Sequence, residues 1–162
     1  MRHSSARPAD EIEAIVHRYG NTLYRLCLVI LQNECDAEDA VQEAIIKYMR
    51  KAPRFSDLEH EKAWLITVAT NTSRDMLRYR KRHPQTELDQ VQDLLVNDSE
   101  SGILEALMAL PEKFRMVLTL YYVEEYSIGE IAKIIGRTPS AVKMRLKKGR
   151  ELLEEKYRKE YL

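Results

Sequence analysis

The stretch SIGEIAKIIGRTPSAVKMRLKKGR, residues 127–150, decides the fold of the C-terminal part of the chain. Ser127 followed three residues later by Glu130 is the pattern of a capping box, which starts a helix by satisfying free N–H groups of its first turn. Gly136 is a natural left-handed helix stop, and Thr138-Pro139 supplies the N-cap and first residue of a second helix. About three residues separate the two helices, so the stretch predicts a helix-turn-helix.

The predicted second helix has two distinct sides. Its apolar side is formed by Val142, Leu146, Gly149 and Leu153. Its other side is small, polar or basic and consists of Ser140, Lys143, Met144 and Lys147, flanked by Arg145, Lys148 and Arg150. An apolar back, polar residues near the N-terminus and a basic rim are what a recognition helix needs to contact base edges and phosphates. A capping box alone is common, but the combination predicts DNA binding.

Helical periodicity also dominates upstream of this motif. Apolar residues recur at helical spacing through about residues 12–48, and Pro53 ends that region because a proline cannot continue a helix. A polar loop from Arg54 to about His60 precedes a long helix that ends at Pro84. Further along, Pro111 is expected at the first position of another helix.

These elements predict an all-α protein of two small helical domains. We expect the first domain at residues 8–84 and the second at residues 103–160, with the helix-turn-helix at the end of the second. An acidic linker, residues 85–102, joins them and contains a breaker cluster at 97–102. A single helical turn around Val91–Val96 is the most regular structure expected in it.

The formal net charge of zero, from 26 Lys+Arg and 26 Asp+Glu, conceals a strong segregation of charge. Residues 72–84 hold five basic side chains against Asp75 alone, and residues 137–150 hold six and no acid. Between them, residues 85–110 hold six acids and no base. Two basic segments separated by an acidic one indicate two contacts with a polyanion. Solvated helix faces are the alternative explanation for either segment.

Several classes of protein are disfavoured by what the sequence lacks. No apolar stretch approaches the roughly 18 residues of a membrane span, and the N-terminus has no signal-peptide core, so we expect a soluble, cytoplasmic protein. Cys27 and Cys35 form neither a disulfide framework nor a metal-binding spacing. No nucleotide loop, metal cluster or catalytic triad is found. We therefore expect no catalytic or metal-ligating residues, no cofactor and no small-molecule substrate.

Three stretches, in this order, resemble the extracytoplasmic-function (ECF) sigma factors of bacterial RNA polymerase, over about residues 10–157. DAEDAVQEA, residues 36–44, is similar to the polymerase-binding helix of that family. Phe55 with AWLITVATN, residues 63–71, is similar to its promoter-melting segment. Residues 110–146 resemble its second domain. The resemblance implies a promoter-specificity factor that binds core polymerase and opens the −10 region with its first domain, and contacts the −35 region with its second.

The resemblance assigns a polymerase-binding surface to the second helix of the first domain. Its members, implied to contact the clamp helices of the largest polymerase subunit, are Asp36, Asp39, Gln42 and Glu43. The spacing agrees in part, because Asp39 and Glu43 are four residues apart and share a helix face. A carboxylate pair could also indicate acid–base catalysis or a solvated face. No His, Cys or Ser nucleophile accompanies the pair, so a partner surface is favoured.

The family captures a flipped base of the −10 element, and the matching positions in this chain include a loop aromatic and a helical amide. The full implied set is Phe55, Asn71, Arg74, Arg78 and Arg80, with the arginines on phosphates. An Asn side chain offers both a donor and an acceptor to the edge of a flipped base. Phe55 either stacks on a base or packs into the core, and the sequence leaves both open. Trp64 is expected in the core.

At the −35 element the resemblance implies contacts from the turn and second helix of the helix-turn-helix. The set is Arg137, Thr138, Ser140, Lys143, Met144, Arg145, Lys147, Lys148 and Arg150. Met144 stands where the family more often has a small hydroxyl residue, and Gly149 stands where alanine is commoner. Gly149 is on the packing side, where a close helix approach would explain a glycine. The family also implies an anti-sigma factor as a further partner, besides core RNA polymerase and promoter DNA.

Two other interpretations remain open from the sequence. A stand-alone helix-turn-helix transcriptional regulator would bind duplex DNA tightly without polymerase. A helical enzyme is the third interpretation, and no sequence feature supports it.

Overall fold

The computed structural model describes residues 8–83 and 101–162, and the regular structure within them is entirely helical. The chain divides into two compact units, Met1–Thr86 (unit 1) and Glu87–Leu162 (unit 2). The expectation of an all-α protein with two helical domains is confirmed. Most of the expected linker, including the helical turn around Val91–Val96, lies outside the described residues. None of the helices in the described ranges is long and apolar enough to cross a membrane.

Over residues 8–83, unit 1 contains three helices, α1 (Ala9–Leu31), α2 (Glu34–Lys51) and α3 (Leu58–Arg82). Side-chain caps set the first residues of α2 and of α3. Asn33 starts α2 by accepting a hydrogen bond from the backbone N–H of Asp36 at 2.9 Å. Asp57 starts α3 in the same way, accepting from the N–H of His60 at 2.8 Å. The predicted loop to His60 is therefore too long, because this cap begins α3 at residue 58.

The three helices enclose one apolar core. Its large, fully buried side chains come from all three helices and include Ile15, Leu23, Leu26, Ile30, Leu31, Tyr48, Leu65 and Ile66. The inner face of α2 is made mostly of alanines, which are buried at positions 37, 40 and 44. Asp36 near the start of α2 pairs with Arg80 near the end of α3, whereas Tyr48 near the end of α2 contacts Glu61 near the start of α3. Helices α2 and α3 are therefore antiparallel.

Over residues 101–162, unit 2 has four α-helices and one wider turn. In chain order these are α4 (Ser101–Met108), α5 (Glu112–Leu118), a π-helical turn (Thr119–Val123), α6 (Ile128–Ile135) and α7 (Pro139–Tyr161). Pro111 is the N-cap of α5 and not its first residue, so the prediction is wrong by one position. The π-helical turn has no counterpart in the sequence-based expectation, which assumed a uniform helical period.

The helix-turn-helix is confirmed, with its predicted caps. The Ser127 hydroxyl accepts from the N–H of Glu130 at 3.1 Å and starts α6. Gly136 ends α6 with a φ of 65°, the left-handed conformation that glycine adopts without strain. The Thr138 hydroxyl then accepts from the N–H of Ala141 at 3.1 Å, and Pro139 is in the first turn of α7.

Gly149 explains how closely α7 packs on α5. It is buried, and a Cβ added there would lie 3.2 Å from Cδ1 of Leu118 and 3.5 Å from Cβ of Phe114. Such a distance to Leu118 is tighter than normal van der Waals contact, so a side chain would force the neighbour to move. The close helix approach expected from the sequence is therefore present.

Candidate protein and nucleic-acid interfaces

The outer face of α2 is exposed and lies opposite its alanine face. Asp39, Gln42 and Glu43 are all exposed, and Ile46 one turn further on is 38% exposed. Neither Asp39 nor Glu43 forms an ion pair within the part of the chain that the structure describes. Two carboxylates, an amide and an exposed isoleucine on one rigid helix form a surface that suits a protein partner with basic and apolar groups.

Asp36 does not belong to this exposed face. Its carboxylate forms an ion pair with Nη2 of Arg80 on α3, and Nη1 of Arg80 also donates to the carbonyl of Leu31 at 3.0 Å. Partial burial lowers the pKa of Arg80, and the guanidinium stays protonated at neutral pH. Two residues that the resemblance assigns to different partners, polymerase and DNA, therefore contact each other.

Phe55 lies in an aromatic cluster at the loop end of the α2–α3 pair. Its ring centroid is 6.1 Å from that of Tyr48 in a stacked arrangement, 5.2 Å from that of His60 and 5.9 Å from that of Trp64. Phe55 and Trp64 are both half-buried, so Trp64 is less enclosed than the sequence suggests. Phe55 therefore packs in the cluster, one of the two alternatives that the sequence left open, and remains partly exposed.

The exposed side of α3 carries the amide and one of the arginines expected at the −10 element. Asn71 is exposed, whereas its neighbours Thr70 and Thr72 are buried. Arg78 is exposed, and its Nη1 lies 3.0 Å from Oδ1 of Asp75 on the same helix. Arg74 is half-buried.

An aromatic pair at the end of α3 was missed by the sequence analysis. The rings of Tyr79 and His83 stack with centroids 4.2 Å apart, and both residues are exposed beside the basic segment. Their spacing of four residues is the signal that could have found them, since such residues are neighbours on a helix.

The turn before α7 and the outer face of α7 present the expected polar and basic residues. Those that are exposed are Arg137, Thr138, Ser140, Lys143, Met144, Lys147, Lys148 and Arg150. Met144 is the apolar member of this set and is 72% exposed. Arg145 differs because it is half-buried. Val142, Leu146 and Gly149 are buried on the opposite side, so the predicted two-sided character of the helix is confirmed.

Arg150 has a partner that the sequence did not indicate. Its Nη1 donates to the hydroxyl of Tyr122 at 3.2 Å, and Tyr122 lies in the π-helical turn. A π-helical turn has more residues per turn than an α-helix. It therefore changes which side chains face α7, and a regular helical pattern could not have placed Tyr122 there.

The comparisons with known proteins agree with this division of the chain. Residues 15–83 match the family model "Sigma-70 region 2", and residues 101–153 match "Sigma-70, region 4". The ECF RNA polymerase sigma factor SigW of Bacillus subtilis is 31% identical over 170 residues, covering 92% of this chain and 90% of the relative. The chain belongs to the ECF family of RNA polymerase sigma factors. As members of a family of transcription initiation factors, such sigma factors bind core polymerase and promoter DNA.

Other relatives and one solved structure extend the similarity. SigV of Bacillus subtilis is 29% identical, covering 86% of each chain, and SigM of Mycobacterium tuberculosis is 28% identical, covering 87% of this sigma factor and 74% of the relative. The sigma factor RpoE of Bartonella quintana, solved in complex with the anti-sigma factor NepR, has a TM-score of 0.75 at 21% identity, covering 93% and 98% of the two chains. At that identity the solved structure shows a shared fold.

Proposed function

We propose that this sigma factor binds polymerase through one surface of unit 1 and contacts its promoter through a second surface of unit 1 and one surface of unit 2. The observation that carries the proposal is the two-sided α7, in which Ser140, Lys143 and Lys147 are exposed opposite a buried apolar seam in a correctly capped helix-turn-helix. Such a helix can enter the major groove, with residues near its N-terminus on base edges and lysines on phosphates. Unit 2 would contact the −35 element in this way.

Unit 1 would bind core polymerase through the outer face of α2, with Asp39, Gln42 and Glu43 as the contacting residues. Their exposure and the lack of ion-pair partners among the described residues support this role. A rigid helix backed by packed alanines holds charged groups in fixed positions, which favours specific recognition. The clamp helices of the largest polymerase subunit, implied by the family resemblance, are the proposed target.

Unit 1 would also open the −10 region. Asn71 is exposed and can pair with the edge of a flipped base, and the accessible part of Phe55 can stack on it. Arg74 and Arg78 would hold phosphates nearby. Asp36 and Arg80, which pair with each other, are absent from both proposed contact sets.

Three further parts of the proposal follow from family membership. The chain acts in the cytoplasm together with polymerase, and it has no enzymatic activity of its own. An anti-sigma factor holds it inactive. The complex of the structurally similar RpoE with NepR supports such a partner, and the α2 face is the surface where a competitor of polymerase would bind.

Reconstituted transcription tests the function. Purified chain and bacterial core polymerase are mixed with a fragment library of bacterial DNA, and the 5′ ends of the transcripts are mapped. We expect initiation at a small set of sites that share upstream elements, and none with either component alone. Tight binding of the free chain to those same sites, without any transcripts when polymerase is added, would instead favour the stand-alone regulator.

A further inference from the structure

The Asp36–Arg80 ion pair lies where the three helices of unit 1 come together. Helix α1 ends at Leu31, α2 begins at Glu34 and α3 ends at Arg82. The Arg80 guanidinium donates to the carbonyl of Leu31 and pairs with the carboxylate of Asp36. One side chain therefore connects the ends of all three helices.

Each contact of Arg80 matches the polarity of the helix end that it touches. A cation is favoured at the C-terminal carbonyls of α1, and a carboxylate is favoured in the first turn of α2. A planar guanidinium can donate to two acceptors at once, which a lysine does less well. The Asp36 and Arg80 side chains are 33% and 26% exposed, against 70% and 60% for Asp75 and Arg78. Solvent therefore screens the first pair less than the second.

The Asp36–Arg80 pair lies at the end of α2 and α3 that is opposite their chain connection. At one end these helices are joined by the short connection between residues 51 and 58, and there Tyr48 donates to Glu61 at 3.0 Å. Lys47 donates to Thr72 at 3.1 Å further along. At the opposite end no short connection joins α2 to α3, and the Asp36–Arg80 pair bridges the two helices there.

We propose that Arg80 is a positioning residue that holds α2 and α3 at a fixed angle through Asp36 and the end of α1, and that neither Asp36 nor Arg80 contacts polymerase or DNA. This inference rests on the proposed function, in which α2 faces polymerase and α3 faces the −10 element. The ion pair then couples the two, because polymerase fixes the orientation of α2 and the pair transmits that orientation to α3. Promoter opening depends on the pair, whereas phosphate binding does not.

The test compares Asp36→Ala, Arg80→Ala, the double variant and Arg78→Ala as a matched control from the same helix. Two quantities are measured on the reconstituted holoenzyme with a mapped promoter. They are the slope of log affinity against log salt concentration and the rate of open-complex formation. All measurements are made at a temperature where each variant retains its helical circular-dichroism signal.

We expect Arg80→Ala to leave the salt slope unchanged and to slow promoter opening about tenfold, with the double variant no slower than the slower single variant, because both lose the same contact. Arg78→Ala should lower the slope by about 0.9, the amount for one lost phosphate contact. Its effect on opening should add to that of Asp36→Ala, because the two residues have different partners.

A template already unpaired at the −10 element separates positioning from general loss of structure. On it the Arg80→Ala defect should fall below about twofold, since the step that needs a positioned α3 is bypassed. A slope lowered by about 0.9 for Arg80→Ala, additive Asp36 and Arg80 effects, or equal defects on both templates would each overturn the inference.

The Arg80→Lys variant and the Arg78→Ala control distinguish the positioning role of Arg80 from a loss of structure. Arg80→Lys retains the charge but not the planar fork, so it should fold and show the same pattern with a smaller defect. A smaller opening defect that is confined to the duplex template supports the positioning role of Arg80. The absence of a defect on both templates contradicts that role. An unchanged salt slope for Arg78→Ala would contradict the proposed DNA-facing role of α3. Whether the Asp36→Ala and Arg80→Ala effects add would still decide whether Arg80 acts through Asp36.

Discussion

Two basic side chains of unit 1 and two of unit 2 are used in opposite ways. In unit 1, Arg80 and Lys47 bridge helices, one to Asp36 and Leu31 and the other to Thr72. In unit 2, Lys143 and Lys147 are exposed on α7 and have no ion-pair partner among the described residues. The opposite side of α7 is apolar and buried. The difference shows that the number of basic residues does not by itself identify those that dock, because the helix packed against each residue decides whether its charge is already paired.

The largest expected effect concerns the exposed carboxylates on the outer face of α2 in unit 1. Reversing both carboxylates, Asp39→Arg with Glu43→Arg, should weaken binding to core polymerase by more than about a hundredfold, since like charges across an interface cost several kcal/mol. Affinity is measured by fluorescence anisotropy of labelled chain. The melting temperature should change little, because both residues are exposed.

The matched control reverses two exposed acids elsewhere in unit 1, Glu13→Arg with Glu59→Arg, which changes the net charge equally. It should retain polymerase affinity within about threefold, because surface changes away from an interface have small effects. Equal loss of affinity in both double variants would mean that total charge and not the α2 face drives the binding.

The next effect concerns the close contact between α7 and α5 at Gly149, on the buried side of α7. Gly149→Val should destabilise the chain by about 2–3 kcal/mol, because overpacking a close helix contact displaces its neighbours. The added Cβ already lies 3.2–3.3 Å from atoms of Leu118. The free energy of unfolding is measured by urea denaturation followed by circular dichroism. Gly129→Val on the exposed start of α6 is the control, and equal destabilisation there would show that loss of a glycine, not the seam, is responsible.

A smaller effect compares two exposed lysines at different positions along α7. Lys147→Ala should lower the log–log salt slope of promoter binding by about 0.9. Lys159→Ala should leave it unchanged, because Lys159 lies about 18 Å further along α7, away from the recognition surface. Filter binding of the holoenzyme over a salt series measures both slopes. The assignment of the outer face fails if the two variants shift the slope alike.

The smallest effect concerns the exposed methionine of α7. Met144 can contact the methyl group of a thymine in the major groove, so replacing that thymine with uracil should weaken binding by wild-type holoenzyme about fourfold, the value of one buried methylene-sized group. Each thymine of the mapped −35 element is replaced in turn. The Met144→Ala variant should be insensitive to every such replacement, and a retained sensitivity would show that another residue contacts the methyl group.

The features that the sequence predicted are those determined by residues close together in the chain. Ser127, Gly136 and Thr138 act on backbone groups within a few residues, so the helix-turn-helix boundaries follow from local chemistry. The exposed face of α2 followed from helical spacing, because Asp39 and Glu43 are one turn apart. Gly149 was placed at a close helix approach for the same reason.

The features that were missed depend on tertiary register. Arg80 reaches a carbonyl that is 49 residues earlier in the chain, and nothing in a local pattern specifies which helix end it meets. Phe55 packs with Tyr48 and Trp64 because the connection between α2 and α3 folds back on both. Tyr122 reaches Arg150 through a π-helical turn that shifts the helical register. Each of these needs the packed structure before a partner can be named.

The proposed function depends on two faces having different partners, the outer face of α2 contacting polymerase and the outer face of α7 contacting promoter DNA. Photo-crosslinking tests it directly, with a photoreactive amino acid placed at Gln42 or at Lys147 in the holoenzyme–promoter complex. We expect position 42 to crosslink to the largest polymerase subunit and not to DNA, and position 147 to crosslink to DNA in the −35 region. Crosslinks from position 42 to DNA, or from position 147 to polymerase alone, would contradict the proposed function.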